Sequence, residues 1–486
     1  MTDTDFDPRA PARRATAAIP VRSDHVGSLD AARSRPSRIA RSVFAVLLCA
    51  CLITYSLVWA RVVVGGVAIP AQRVLVAVTV VAGIADAICT RGRPPRRVLV
   101  LAGLSVLWLG WLVVSLVVRS ATPDFQLNPA VMDLSKYAVA LGIAIVFAYA
   151  VAAAVVGPRT IATMLIVSCA VTVVICVLCL VLYWVGFRLQ DDSVLKTFGA
   201  AWGVWPTSGP IPRVVGPATE PQQLSVLFVT GLLLAVGRRG YGYILLSAAG
   251  LVVLVLSQSK FALLSILVVL AVWLLRLGQR WGLRRRGWTV LGACAALLLV
   301  LLGVVASLLP TFQEALKAGL SAGAFTERAD NATLLVHAFQ THPVFGIGPG
   351  QYGAFRSQQL GIPVDNGYYP NNDYLKVLAE TGIPALAMFA AILGVFVWAL
   401  VRGARSQGIG DGASSTEAAN RAGLLFATGV GGVLIAFNMI IGYEMLHVFF
   451  WINLGIVVGA AESLQAKRGS LGRARSAGRH RVNAQR

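Results

Sequence analysis

The chain has 486 residues, a mean hydropathy of +0.73 and only 13% charged residues, too apolar to wet the surface of a soluble globule. Its formal charge of +21 would point to nucleic acid if the arginines covered a soluble surface, but they fall in the tails and short loops, so no nucleic-acid partner is implied. The seven cysteines all lie in apolar runs, which argues against a disulfide framework, and the lone CxxC of Cys176 and Cys179 has no second ligand pair for a metal.

In chain order, residues 1–41 are rich in Arg, Ala, Pro and Ser without apolar periodicity and read as a disordered basic tail. Apolar runs then recur at about 42–60, 73–89, 98–118, 137–156, 160–186, 220–236, 241–256, 261–277, 288–309, 383–401, 422–441 and 446–465. Runs of roughly 17 to 25 residues suffice to cross a bilayer core, and unpaired backbone groups in lipid force them into helices. The expectation is an all-α polytopic membrane protein of about twelve transmembrane helices, with a membrane domain over 42–466 and a second basic tail over 467–486.

Orientation follows from the arginines. With the N-terminal tail inside, the clusters at Arg91–Arg97, Arg238–Arg239, Arg276–Arg286, Arg402–Arg421 and the C-terminal tail all fall on the same side. That is the positive-inside pattern, so both termini are expected in the cytoplasm and the protein in the cytoplasmic (inner) membrane. Two sizeable loops then lie outside, about 187–219 and 310–382.

In the first, Arg213 precedes Gly216 and Glu220 at the mouth of a span. A guanidinium held at the surface suits a phosphate, although an interfacial Arg anchoring its helix reads the same way. Lys260 follows the turn Ser257–Ser259 and is open to the same two readings, phosphate contact or headgroup anchor.

The second loop concentrates the chemistry. Glu327, Arg328 and Asp330 open an amphipathic segment in which Leu334, Leu335, Ala338 and Phe339 recur at helical spacing. Arg328 is a candidate phosphate ligand or an ordinary ion-pair partner. His337 and His342 are candidate bases or packed interfacial side chains. Gly346, Gly348 and Gly350 either bend the chain or let backbone N–H groups approach an anion. Tyr368, Tyr369, Asn371, Asn372 and Tyr374, with Asp373 among them, combine ring faces with amides and a carboxylate, as a sugar site does; a helix cap beside an interfacial aromatic belt is the alternative.

The stretch RADNATLLVHAFQTHPVFGIGPGQYG, followed by NNDYLKVLAETGIP, resembles the O-antigen ligase and Wzy-type polymerase superfamily of bacterial polysaccharide assembly. RVVGPATEPQQLS and SQSKFALLS resemble its earlier basic segments, with Lys260 standing where the family has Arg. The resemblance implies a GT-C-like glycosyltransferase with an amphipathic helix in its large external loop. It would move a polyprenyl-diphosphate-linked oligosaccharide onto an acceptor glycan, with inversion and without metal or other cofactor.

On the same ground Arg213, Lys260 and Arg328 would engage the donor diphosphate, and Tyr368, Tyr369, Asn371, Asn372 and Tyr374 the glycan. Membrane lipid and other polysaccharide-assembly proteins would be its neighbours. The chain departs from the ligase pattern at Asn371, where the family's histidine is expected, and an amide is no base near neutral pH. The proton acceptor would then be Glu220, Asp373, His337 or His342, and the reading tilts toward a polymerase. A transporter or flippase of lipid-linked glycans is the reading from a different class, but the sequence has one dominant external loop and no repeat symmetry.

Overall fold

The computed structural model describes residues 35–54, 61–64, 67–90, 94–186, 203–205, 212–217, 221–238, 240–280, 322–364, 370, 372–407, 416–440 and 448–464. Its helices are α1 (Arg35–Ile53), α2 (Ala71–Thr90), α3 (Arg96–Arg119), α4 (Leu127–Ala152), α5 (Pro158–Trp184), α6 (Pro221–Val236), α7 (Tyr241–Leu256), α8 (Lys260–Arg280), α9 (Ala322–Thr341), α10 (Tyr352–Leu360), α11 (Asp373–Gln407) and α12 (Thr416–Asn438). A further helix, α13, runs over Val448–Leu464.

Six helices among the described residues, α2, α3, α4, α5, α11 and α12, are long and apolar enough to cross a membrane. The expected spans in described residues each coincide with a helix, while the one at about 288–309 lies outside them. Helix α3 shows why this is a membrane fold. Its buried side is Val98, Leu101, Ser105, Trp108, Leu112 and Ser115, a stripe at alternating three- and four-residue spacing. Its outward side carries Val106, Leu107 and Val117, each at least 60% exposed. A water-soluble helix has a polar outward face; here the outward face is no less apolar than the inward one and requires lipid. The chain is a multi-pass membrane protein.

Helix α4 is the axis. About 61% of its apolar stretch is buried, against 22% for α2. It packs on α13 through small residues: Ala144 and Ala148 on α4 face Gly455 and Gly459 on α13. A Cβ on Gly455 would stand 2.4 Å from the Ala144 carbonyl oxygen, and one on Gly459 2.6 Å from that of Ala148. Two small residues four apart on each helix let the backbones touch, which is where packing energy comes from when lipid is as apolar as the side chains. Next to this contact, Trp108 of α3 lies 5.2 Å from the Tyr137 ring of α4, 5.4 Å from Phe389 of α11 and 6.0 Å from Trp451 of α13. One aromatic cluster thus ties four helices together.

Two short antiparallel ribbons qualify the all-helical expectation. Strand β1 (Arg61–Val64) pairs with β2 (Val67–Pro70), Val64 opposite Val67, and β3 (Gly203–Trp205) pairs with β4 (Arg213–Gly216). The first has a clear local cause: β-branched RVVV and VAIP flank Gly65-Gly66, a hairpin pattern inside what reads as a loop. Helix starts also differ. α1 begins at Arg35, ahead of the expected Ser42, and α4 begins at Leu127 rather than 137; α11 is broken at Gly382, and its part beyond the break begins at the expected 383.

The basic clusters gather at one end of the bundle. Arg41 Nη2 donates to Ala153 O at 2.8 Å, joining the start of α1 to the end of α4. Arg97 Nε pairs with Glu462 at 2.9 Å, joining the start of α3 to the end of α13, and the Arg97 and Arg402 guanidinium groups both lie over the Trp398 ring. The remaining features sit at the opposite end, where α3 finishes and α4 and α11 begin.

Candidate functional site

The opposite end is built on a break in α11. Gly382 has φ +80° and ψ −179°, outside helical geometry, and Pro384 follows it. Proline has no N–H to give Glu380 O, so the break frees carbonyls that must find donors in a membrane protein. They do. Ile347 N donates to Ala379 O at 2.9 Å, Gly348 N to Glu380 O at 2.8 Å, and Trp111 Nε1 to Thr381 O at 2.9 Å. In return Ile383 N donates to Pro343 O at 3.0 Å. The loop 342–351 is therefore hydrogen-bonded to the kink almost as a strand would be.

The approach is too close for side chains. A Cβ on Gly382 would lie 1.9 Å from Val344 O, and one on Gly346, whose φ is +67°, would lie 2.1 Å from the Glu380 carbonyl carbon. This answers the question the glycines raised. Gly346 N donates to His342 O, Gly348 N to Glu380 O and Gly350 N to the Glu380 carboxylate at 3.0 Å. The N–H groups of Gly346 and Gly348 serve the bend, and that of Gly350 is taken by the protein's own Glu380 carboxylate.

A second layer holds the loop from α3. Trp111, Ser115 and Arg119 stand four apart on one face and reach Thr381 O, Phe345 O at 2.6 Å and Gly346 O at 2.5 Å respectively. Trp111 also stacks on Phe345 at 5.3 Å. Beneath this lies a buried charge network that sequence reasoning missed. Lys376 Nζ, on a side chain 3% exposed, pairs with Asp133 Oδ2 at 2.8 Å and with Glu380, and Asp133 also accepts from Lys136 at 2.8 Å. Two carboxylates and two ammonium groups balance, which is the condition for burying charge. Glu380 Oε1 accepts Tyr352 N at 3.2 Å, so the network reaches the start of α10.

The candidate residues from the sequence separate into groups. Glu220, Tyr368, Tyr369 and Asn371 lie outside the described residues. Of Lys260 and Arg328 the backbone is described, at the start of α8 and within α9, while their side chains lie outside the described set. Arg213 Nε donates to Ser257 O at 3.0 Å, fastening β4 to the turn that leads into Lys260, so those two positions come together through the backbone. Asn372 caps α11, its Oδ1 accepting Leu375 N at 2.9 Å. Asp373 is fully buried at the first turn, its N–H donated to Met439 O at 2.9 Å. The Tyr374 hydroxyl donates to Ala436 O at 2.8 Å, which ties α11 to α12.

His337 is exposed on α9, its ring 6.1 Å from Phe355. His342 ends α9 beside Arg119. Its pKa is lowered, first by burial and then by the Arg119 charge, against a hydrogen bond to the Thr341 backbone that raises it. It is therefore biased toward the neutral form that can accept a proton. His342 and Arg119 line a cavity of about 700 Å³ whose walls also include Asp124, Phe125, Gln126, Phe355 and Gln358. Arg213, Asn372 and Tyr374 are not among its walls.

The kinked start of α11, the loop bound to it, helices α8 to α10 and most of α7 fall within a match to a family model described as O-antigen ligase, over residues 244–390. The match makes this stretch similar to the O-antigen ligase family. No curated protein matches the chain. The α3 stripe and the α4 carboxylate that brace this segment lie outside the matched residues.

Proposed function

We propose that the chain is a membrane glycosyltransferase that moves a polyprenyl-diphosphate-linked glycan onto an acceptor glycan at the outer face of the cytoplasmic membrane, with inversion and without metal. The observation that carries the reading is the O-antigen ligase match lying over the loop 342–351 and the broken α11 that anchors it. Support for the outer face comes from the basic end of the bundle, with Arg41, Arg97 and Arg402, lying opposite that loop.

In the reaction, an acceptor hydroxyl attacks the anomeric carbon from the face opposite the diphosphate. The bond from that carbon to the phosphate oxygen breaks as the new glycosidic bond forms, the polyprenyl diphosphate leaves with the electron pair, and the hydroxyl proton passes to a base. Arg213, Lys260 and Arg328 neutralise the departing diphosphate, and because that group is already activated, charge stabilisation supplies much of the barrier reduction. Tyr368, Tyr369, Asn371, Asn372 and Tyr374 hold the donor glycan. Of the candidate bases His342 is favoured over His337, Asp373 and Glu220, because it lines a cavity and burial and the Arg119 charge lower its pKa. Asn371 at the expected histidine position favours a polymerase over a ligase.

The test is purified full chain in liposomes with a polyprenyl-diphosphate oligosaccharide and chelator. Longer or transferred glycan on gels, lost in Arg213→Ala and Arg328→Ala variants that still fold, supports the assignment. Unchanged activity in both variants removes the diphosphate roles.

A further inference from the structure

The cavity of about 700 Å³ lies between the α3–α4 turn and α10, and its size falls within the roughly 300–1,000 Å³ of small-molecule sites. We propose that it is a glycan subsite that takes a few sugar residues of the acceptor chain, an assignment that rests on the glycosyltransferase reading above.

The chemistry of the walls favours a neutral, hydroxyl-rich ligand. Arg119 spends Nε on Gly346 O, and its terminal nitrogens have no hydrogen-bond partner among the described residues. The Asp124 carboxylate and the side-chain amides of Gln126 and Gln358 likewise have none there. Donors and acceptors thus stand together, with Phe125 and Phe355 supplying flat apolar faces, the combination that a pyranose ring presents in mirror image. Arg119 and Asp124 cancel in charge. A diphosphate would meet the Asp124 carboxylate, so the site suits sugar better than the donor's anionic end.

The site is also built, not a chance gap between loop tips. The Gln351 amide pairs both ways with the Gln126 backbone, accepting from Gln126 N at 2.9 Å and donating to Gln126 O at 2.7 Å. That bond ties the α3–α4 turn to the loop that the α11 kink fixes. Phe125 is seated against Gly348, where a Cβ would stand 2.8 Å from its ring. Preorganised walls lower the cost of binding a flexible chain. The acceptor is favoured over the donor because the candidate diphosphate ligand Arg213 is not in these walls, whereas His342, a group able to take the acceptor's proton, is.

The test uses the full chain in the cells that make it, with photoreactive p-benzoyl-phenylalanine replacing Gln358 or, as a lipid-facing control, Val252, so that the probe captures the cell's own glycans. The expected result is a sugar-bearing adduct by mass spectrometry at position 358 and not at 252, its yield cut about ten-fold by Asp124→Ala through loss of a charge-assisted hydrogen bond. A phospholipid adduct only, or none, at 358 in a chain that retains transfer activity overturns the subsite and leaves the enzyme reading standing. A sugar adduct on a chain inactive in the liposome assay supports the subsite and counts against the transferase; absence of both overturns both.

Discussion

Lys376 and Asp133, 243 positions apart in sequence, form an ion pair of 2.8 Å in the interior, and that pair joins α11 to α4 beneath the loop 342–351. Lys376 serves Asp133 and Glu380 at once, and Glu380 in turn accepts the N–H groups of Gly350 and Tyr352. The loop's path is thereby linked to charges that no part of the loop contains.

Removing the shared cation leaves two buried carboxylates against one remaining ammonium. Lys376→Ala is expected to cost about 3–5 kcal/mol, the range for an orphaned buried ion partner. Denaturation in detergent measures it. A Lys376→Met, Asp133→Asn double variant is expected to recover part of the loss, which distinguishes charge imbalance from lost packing.

Gly382→Ala tests the clamp. Its Cβ would lie 1.9 Å from Val344 O at a φ of +80°, so either the kink or the loop must move. The expected outcome is a loss of about 1–3 kcal/mol together with faster proteolysis within residues 342–351, while Gly394→Ala, which meets nothing within 4 Å, is expected to be silent.

Gly459→Val tests the helix contact. Forcing α4 and α13 apart is expected to destabilise the protein by about 1–3 kcal/mol, as overpacking does. Gly103→Val, on an open face of α3, is the matched control.

His342 provides the pH test. Its folded-state pKa is below the ordinary 6.5 because burial and the Arg119 charge disfavour the imidazolium. Protonation then favours the unfolded chain, so this group's contribution is present above the ordinary value and is lost as pH falls from there through the folded-state value. Selective labelling and NMR titration are expected to give a midpoint below 6.5, moving up in Arg119→Gln. An unchanged midpoint in that variant would remove the electrostatic coupling.

The helices were legible because a lipid-facing helix is apolar all round: α3 needs no knowledge of its partners to read as a span. Where boundaries slipped, charge was the reason. Asp133 and Lys136 look like loop residues in sequence and bound the apolar run at about 137; in the fold Asp133 pairs with both Lys136 and Lys376, and α4 continues back to Leu127. Within α11 the polar Lys376 and Glu380 pair with each other, and Asn372 caps the helix start. The kink left a local trace in Gly382 and Pro384, but the donors that satisfy it come from positions near 111 and 347, which spacing cannot reveal. Arg119 left a weaker signal, a cation at the non-basic end of a span. The segment that matches the O-antigen ligase model was legible as a motif, and the residues that brace it were not.

The most direct measurement is glycan transfer by the purified chain in liposomes given a polyprenyl-diphosphate oligosaccharide, with wild type compared with Arg213→Ala and Arg328→Ala. The account predicts longer or transferred glycan from wild type in the presence of chelator, and its loss in both folded variants. No product from a folded wild-type chain supplied with its own cell's lipid-linked glycan and acceptor would contradict it.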